Sequence, residues 1–284
     1  MTIEALALVA HHERELARDL AEKAAAWCAA RDVDVWMPGV DAEAIDAKGL
    51  ASERPIASAD LVLSLGGDGT MLRSVRLLDG ASVPLLGVNL GALGYLTEVE
   101  ADYVDEALDR FAAGADAGHW HLDERMLLDV TVNGRHVGRA LNEAVIEKGL
   151  TGHTVRLLAR IDGEPFTHYN ADGLIVATPT GSTAYSLSAR GPIVSPRHRA
   201  ILLTPVSPHM LFDRSLVLDP TGCVRVEVLD PRPATLSVDG SNLGDLDPGD
   251  AVECTAAPYT ARMVTFEPRA FLQILKAKFG LSDR

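Results

Sequence analysis

Leu61-Val62-Leu63-Ser64-Leu65-Gly66-Gly67-Asp68-Gly69-Thr70-Met71-Leu72 is the stretch on which the reading of this chain turns. Leu61 to Leu65 is nearly all apolar, the pattern of a strand covered on both faces. Three glycines then surround one acid, and Thr70 opens a helical pattern in which Leu72, Val75 and Leu78 share a face. A strand that turns sharply into a helix presents free backbone N–H groups and the positive end of a helix dipole. Glycine lets that backbone come close to an anion, so the turn is a phosphate cradle built on Gly66, Gly67, Gly69 and Thr70. It is not a Walker A loop, because the chain contains no Gly-x4-Gly-Lys-Ser/Thr. Asp68 is out of place beside a phosphate unless it takes a proton from an attacking hydroxyl or helps to hold a metal. A plain turn whose carboxylate satisfies nearby N–H groups is the third reading.

Working outward, Ile3 to Ala10 reads as a strand, followed by His11-His12, read as a loop rather than a metal site. Leu16, Leu20, Ala24, Trp27 and Cys28 recur at helical spacing, and Val33 to Met37 is a second strand. The Ala/Asp/Glu-rich segment up to Ser58 reads as surface helix or loop. Val83 to Asn89 is a further strand, and helical spacing returns at Val104, Leu108 and Phe111. Strand, helix and strand in alternation predict an open α/β domain with a mostly parallel sheet and a ligand crevice at the strand C-terminal ends, where Asp68 and Asn89 fall. Gly87 to Gly94 lacks the Gly-x-Gly-x-x-Gly spacing of a dinucleotide fingerprint.

From Leu127 the pattern changes. Val130 and Val132, Asn133-Gly134 and Val137 read as a tight hairpin, and Leu157 to Ile161, Asp162-Gly163 and Phe166 as another. Runs at 174–177, 200–204, 216–218, 224–229, 235–238 and 251–255 complete an all-β, sandwich-like domain. Pro268 to Phe279 is helical again and is expected to return to the first domain. The predicted division is 1–118 with 266–284, and 119–265, with Gly114 and Gly118 marking the first boundary.

At 284 residues with 47% hydrophobic content the chain can bury two cores. A net charge of -14 argues against nucleic acid or an anionic membrane as partner, so an anionic small ligand must be held locally. Cys28, Cys223 and Cys254 share no Cys-x-x-Cys spacing and read as reduced thiols. The first residues lack signal-peptide features and no apolar run approaches a membrane span, so a soluble cytoplasmic protein is expected.

Two further stretches carry chemistry. Asp172 to Ser186 again runs a buried strand into a turn rich in Gly, Ser and Thr, with a helix beginning near Thr183 or Ala184. Its hydroxyls and amides suit ribose or phosphate oxygens and Tyr185 offers a stacking ring; a capped helix with Tyr185 in the core is the alternative. Asn142-Glu143 could bind the two hydroxyls of a ribose, or could be two solvated residues at a strand edge.

Taken together these segments resemble the NAD kinases, which phosphorylate the adenosine-ribose 2′-hydroxyl of NAD to give NADP. The likeness runs in order through most of the chain: Gly66 to Thr70, Gly87-Val88-Asn89 through Gly94-Tyr95-Leu96-Thr97-Glu98, Leu141-Asn142-Glu143, Asp172 to Ser188, Pro205 to Leu211, and Ser237 to Gly240. The glycine-acid motif is shared with phosphofructokinases and lipid kinases; Asn-Glu and the Pro-Thr-Gly-Ser-Thr-Ala-Tyr-Ser segment are specific. The resemblance implies that Asp68 is the base for the 2′-hydroxyl, that Gly69 and its neighbours cradle phosphates, and that Arg73 is a cationic contact. It implies that Asn142, Glu143 and Asp172 hold NAD and that Thr183, Ala184, Tyr185 and Ser188 line its cleft, with His153 and Asn170 at variable contact positions. It implies ATP with a divalent cation such as Mg as donor, polyphosphate in some members, and a homodimer or homotetramer. Two departures stand out. Relatives mostly carry Gly where this chain has Arg190, a strained choice if φ is positive there, or else an added cation. A common Gln after Asp239-Gly240 is replaced by Ser241, with Asn242 next to it. A lipid kinase would lack the Asn-Glu and Tyr185 segments, and a non-catalytic NAD(P) sensor would not need Asp68.

Overall fold

The computed structural model describes residues 3–13, 15–92, 94–115, 119–150, 152–229, 231–266 and 271–281. Gly118 and Pro268, read above as a boundary and a helix start, lie outside these residues. The chain forms two compact units, Met1–Glu124 with Ala261–Arg284, and Arg125–Thr260.

The first unit alternates strands and helices: β1 (Ala5–Ala10), α1 (Glu15–Ala29), β2 (Asp34–Pro38), α2 (Gly39–Ala44), β3 (Ala51–Ser52), β4 (Leu61–Gly66), α3 (Asp68–Leu78), β5 (Leu85–Asn89), β6 (Val99–Glu100) and α4 (Val104–Ala112). The sheet order β5-β4-β1-β2-β3 is parallel throughout. Every residue of β1, β4 and β5 is buried, as their unbroken apolar runs predicted. Leu20, Ala24, Trp27 and Cys28 of α1 and Leu108 and Phe111 of α4 close one core over Leu6, Leu8, Leu63 and Leu65. Leu16, expected on the same face, is 41% exposed.

Two details differ from the sequence reading. Helix α3 begins at Asp68, not Thr70, and buries Met71, Ser74, Val75 and Leu78 instead of Leu72. Only Gly67 separates strand from helix, and the junction packs so closely that a Cβ on Gly66 would fall 2.0 Å from Thr70 Oγ1. The polar segment 39–58 is not wholly superficial, since Asp41 on α2 is completely buried.

The second unit holds β7 (His121–Val132), β8 (Arg135–Ala140), β9 (Glu143–Lys148), β10 (Val155–Ile161), β11 (Glu164–Ala171), β12 (Gly173–Ala177), the single turn α5 (Tyr185–Ser188), β13 (Ile201–Val206), β14 (Leu216–Leu218), β15 (Cys223–Val228), β16 (Ala234–Val238), β17 (Ser241–Leu246) and β18 (Ala251–Thr265). One sheet runs β14-β13-β12-β9-β16-β17, antiparallel throughout. A second places β11-β10-β15-β18 side by side, with β7 on β18 and β8 on β7. Residues of both sheets, among them Ile146, Val176, Leu203, Leu157, Val226 and Val252, share one core, which makes the unit a layered β structure. The β7–β8 and β10–β11 turns carry the positive φ expected of Asn-Gly and Asp-Gly: Asn133 at 50° and Gly134 at 79°, Asp162 at 53° and Gly163 at 85°.

Strand β18 is far longer than the expected 251–255. It continues past the exposed Pro258 into the first unit, where Met263 pairs in parallel with Leu85 of β5. The last element, α6 (Phe271–Phe279), belongs to the first unit. Of its apolar residues Leu275 is buried, whereas Leu272 and Phe279 are exposed.

Candidate functional site

In the first unit the C-terminal ends of β1, β4 and β5 enclose a cleft of about 520 Å³ lined by Ala10 to Glu13, Gly67, Gly69, Thr70, Arg73 and Asn89 to Ala92. This is the crevice position expected for a parallel α/β sheet. Gly67 and Gly69 have negative φ, and a Cβ on either would meet no protein atom within 4 Å. Neither backbone nor packing therefore calls for glycine there. Both stand beside N–H groups that begin a helix, where the missing side chain leaves the backbone open to the cleft. Gly66 serves a different purpose, the contact with Thr70 described above.

Asp68 lies in the first turn of α3 and is partly exposed. Its Oδ2 accepts the Tyr95 amide at 2.9 Å and its Oδ1 the Leu96 amide at 2.9 Å. The carboxylate is thus fixed by two backbone donors, and each oxygen keeps a second lone pair. The turn that supplies these amides is pressed against β5: Glu98 N donates to Gly87 O at 2.9 Å, and a Cβ on Gly87 would lie 3.0 Å from Thr97 Cα. A Cβ on Gly94 would fall 2.4 Å from Asp68 Oδ1. The glycines at 87 and 94 therefore keep the turn and the carboxylate in register.

Arg73 reaches the cleft but is also an internal brace. Its Nη1 and Nη2 donate to the Asp41 carboxylate at 2.6 Å each, and Nη2 donates to Ala10 O at 2.6 Å. Asp41 also accepts the Ala10 amide at 2.9 Å and sits 3.0 Å from His12 Nε2. Burial alone would raise the Asp41 carboxyl; the bonds from Arg73, His12 and Ala10 outweigh it and hold the group below the usual carboxylate value. Asn89 shapes the opposite wall, with Nδ2 donating to Gly91 O at 3.0 Å and Oδ1 accepting Gly91 N at 3.2 Å.

In the second unit Glu143 opens β9 and Asn142 directly precedes it. Asp239, in the turn between β16 and β17, accepts the amides of Leu141, Asn142 and Glu143 at 2.7, 2.8 and 3.1 Å. Gly181 lets the following turn rest on this backbone, since a Cβ there would fall 2.1 Å from Asn142 O. Glu143 is 7% exposed, which removes the reading of two solvated edge residues, and its Oε2 has no hydrogen-bond partner in the protein. Burial, then the charge of Asp239, push the Glu143 carboxyl up to about 8, against the opposing effect of the Tyr185 amide.

Tyr185 is 38% exposed and so is not a core residue. Burial first, then Glu147, Asp172 and Glu143, raise its phenol above the usual value, with Lys148 opposing. Asp172 is paired with Lys148, Nζ to Oδ1 at 2.6 Å. The helix expected near Thr183 is instead a 3₁₀ turn over Thr180–Thr183, a break at Ala184 with ψ -128°, and one helical turn at Tyr185–Ser188. Thr183 Oγ1 donates to Thr180 O at 3.3 Å, and Ser188 is exposed. His153, in the loop before β10, and Asn170, on β11, are exposed, and no hydrogen bond among the described residues joins either side chain to Glu143, Asp172 or Tyr185. Arg190 has φ 66°, the left-handed conformation that the sequence comparison with relatives anticipated as strained. Asn242 Oδ1 accepts Gly244 N at 2.7 Å within its own hairpin.

Asp41 and Asp239 were not singled out as site residues from the sequence. The groups that Asp41 and Asp239 bind lie far along the chain, and no spacing rule encodes such pairs.

Among the described residues no group of three or more His, Cys, Asp or Glu converges as a metal cage, and no helix is long and apolar enough to cross a membrane.

Comparison with known proteins adds identity to this geometry. Residues 6–115 match the ATP-NAD kinase N-terminal domain and residues 141–266 the ATP-NAD kinase C-terminal domain. The NAD kinase of Moorella thermoacetica is 40% identical over 282 residues, covering 97% of this chain and 89% of the relative. That of Syntrophotalea carbinolica is 37% identical over 271 residues, covering 90% and 94%. A crystal structure of yeast NADH kinase complexed with NADH superposes with a TM-score of 0.88 at 27% identity, covering 100% of this chain and 90% of that one.

Proposed function

Because the chain belongs to the NAD kinase family, we propose that it transfers the terminal phosphoryl group of ATP to the 2′-hydroxyl of the adenosine ribose of NAD, giving NADP. The observation that carries the assignment of the reacting group is Asp68, a carboxylate fixed by two amides at the edge of the cleft, beside two glycines whose missing side chains leave the backbone open to it. Asp68 accepts the 2′-hydroxyl proton as the oxygen attacks phosphorus, and the departing ADP oxygen takes the electron pair of the broken P–O bond. The amides of Gly67 and Gly69 receive the donor's phosphates at the start of α3, where the Thr70 amide is already bonded to Gly67 O at 3.0 Å. Arg73, braced by Asp41, sets one wall of that cleft.

Asn142 and Glu143 hold the dinucleotide. Glu143, protonated near neutral pH, donates a hydrogen bond from a site where a carboxylate would otherwise sit close to Asp239. Tyr185 stacks on a ring of the dinucleotide, with Thr183, Ala184, Ser188 and Asp172 along its length and His153 and Asn170 as outer contacts. A divalent cation such as Mg would be held chiefly by the nucleotide's own phosphate oxygens and by water, since Asp68 is committed to the 2′-hydroxyl proton. When bound it supplies neutralisation of phosphate charge. The protein works in the cytoplasm, in keeping with the free thiols of Cys28, Cys223 and Cys254, and assembles as a homodimer or homotetramer.

The test is NADP formation by the purified protein from NAD with Mg-ATP, run beside polyphosphate and beside Asp68→Asn. Product with ATP in the wild type and its loss in Asp68→Asn, with NAD still bound, support the assignment. NAD binding without product from either donor would instead make the protein a dinucleotide sensor.

A further inference from the structure

His12 follows β1 at a corner that backbone hydrogen bonds hold in place. Ala10 N donates to Asp41 Oδ2 at 2.9 Å, Ala10 O accepts Arg73 Nη2 at 2.6 Å, and His11 N donates to Leu65 O at 2.9 Å. The His12 side chain is 40% exposed, and its Nε2 lies 3.0 Å from Asp41 Oδ1, the oxygen that also takes Arg73 Nη1. Asp41 is fully buried and held ionised, and an ionised carboxylate only accepts, so the hydrogen of this bond is on Nε2. Nδ1 has no hydrogen-bond partner among the described residues, which makes it the free end of the ring. His12 lines the same cleft as Gly67 and Gly69. Among the described residues lining that cleft Arg73 is the sole Lys or Arg, and Asp41 cancels its charge. In a chain of net charge -14, the trio of Arg73, Asp41 and His12 can balance phosphate only when the imidazole carries a second proton. His11 is placed differently: its Nδ1 accepts the Glu13 amide at 3.1 Å, a bond that protonation there would break.

We infer that His12 is a donor-binding residue: anchored on Asp41 through Nε2–H, it takes a proton from solvent at Nδ1 when the nucleotide binds and donates a charged hydrogen bond from there to a phosphate oxygen. This rests on the kinase reading above. No covalent bond to the nucleotide forms, and the proton stays on the ring. A neutral imidazole would turn the Nδ1 lone pair toward the phosphate oxygens and repel them, so binding and protonation favour each other. The charges that face the ring are Asp41 and Arg73, Glu13 beside it in the cleft, and Glu15, Arg18, Asp19 and Asp46 around the neighbouring cavity that His12 also lines.

The experiment is calorimetric titration of the protein with Mg-ATP, in the absence of NAD, in two buffers of different ionisation enthalpy, for wild type, His12→Gln and His12→Lys. At about pH 8 the wild type should take up a substantial fraction of a proton on binding, and at about pH 5.5, where imidazoles are charged beforehand, very little. His12→Gln keeps a donor for Asp41 but cannot be charged. Its proton uptake should vanish and its KM for ATP should rise roughly tenfold, the order of one charge-assisted hydrogen bond, with KM for NAD within about twofold. His12→Lys, charged throughout this range, should keep the affinity for ATP without the uptake. Should the Gln variant fold poorly, His12→Ala should show the same loss of uptake and of donor affinity. Wild-type affinity for ATP in His12→Gln, or equal proton uptake with and without the imidazole, would overturn the inference. NADP formation by a wild type that binds Mg-ATP with no uptake would overturn it alone. A wild type that binds Mg-ATP with uptake yet makes no NADP would instead overturn the kinase reading on which it stands.

Discussion

Asp68 is gripped by two amides, so its replacement by Asn has two separable effects. The amide side chain offers one acceptor oxygen where the Tyr95 and Leu96 N–H groups require two, so Tm should fall modestly, by the equivalent of about 1 kcal/mol. Turnover should fall by about 10²- to 10⁴-fold for loss of a general base, with the NAD dissociation constant little changed. Glu143 leads to a pH prediction. Its carboxyl, ordinarily near 4.5, is held near 8 in the fold, so between these values the folded chain carries a proton that the unfolded chain has lost. The stabilisation is complete below about pH 4.5 and is lost as pH rises through about 8. Denaturation midpoints followed from pH 5 to pH 9 should therefore fall more steeply in wild type than in Glu143→Gln. Arg190, at φ 66°, gives a third: Arg190→Gly should raise stability by about 0.5–1 kcal/mol after the entropy of glycine is subtracted, readable by chemical denaturation. Asn142, Glu143 and Asp68 drew attention in the sequence because an unusual polar residue stood beside an apolar run. Asp41 and Asp239 were not, because the amides and guanidinium they serve lie 31 or more residues away.

At the scale of the element, the β4–α3 junction separates two uses of glycine. Gly66→Ala forces a methyl into Thr70 and should destabilise by about 1–3 kcal/mol, as overpacking does. Gly69→Ala meets open space on a helical residue, so stability should hold or rise while KM for the phosphoryl donor increases. A paired measurement of Tm and donor KM on both variants distinguishes packing from ligand approach. The parallel strands and the two tight hairpins were legible in the sequence, since apolar runs and Asn-Gly or Asp-Gly turns are local signals. The segment around Thr183 was not: its hydroxyls and amides follow tertiary contacts with Asn142 instead of an uninterrupted helix. The length of β18 was hidden by Pro258, whose outward position leaves the strand intact.

At the scale of the whole chain, the -14 net charge makes the folded protein repel itself. Raising NaCl from about 0.02 to about 0.5 M should increase Tm, because screening shortens to a few ångströms over that range. The two-domain division and its classes were legible from the change in periodicity near Leu127, but the unit boundary inside β18 was not. That strand has a consequence for synthesis. The first unit is discontinuous: Met263 pairs with Leu85, Val264 and Phe266 complete the core beneath α4, and Phe266 N donates to Glu98 Oε1 at 3.0 Å. A ribosome delivers these residues only after residues 125–260 have emerged. The later unit can therefore finish folding first, while the earlier one waits with part of the β5 edge unpaired, and the nascent chain is open to mispairing until residues 263–266 appear.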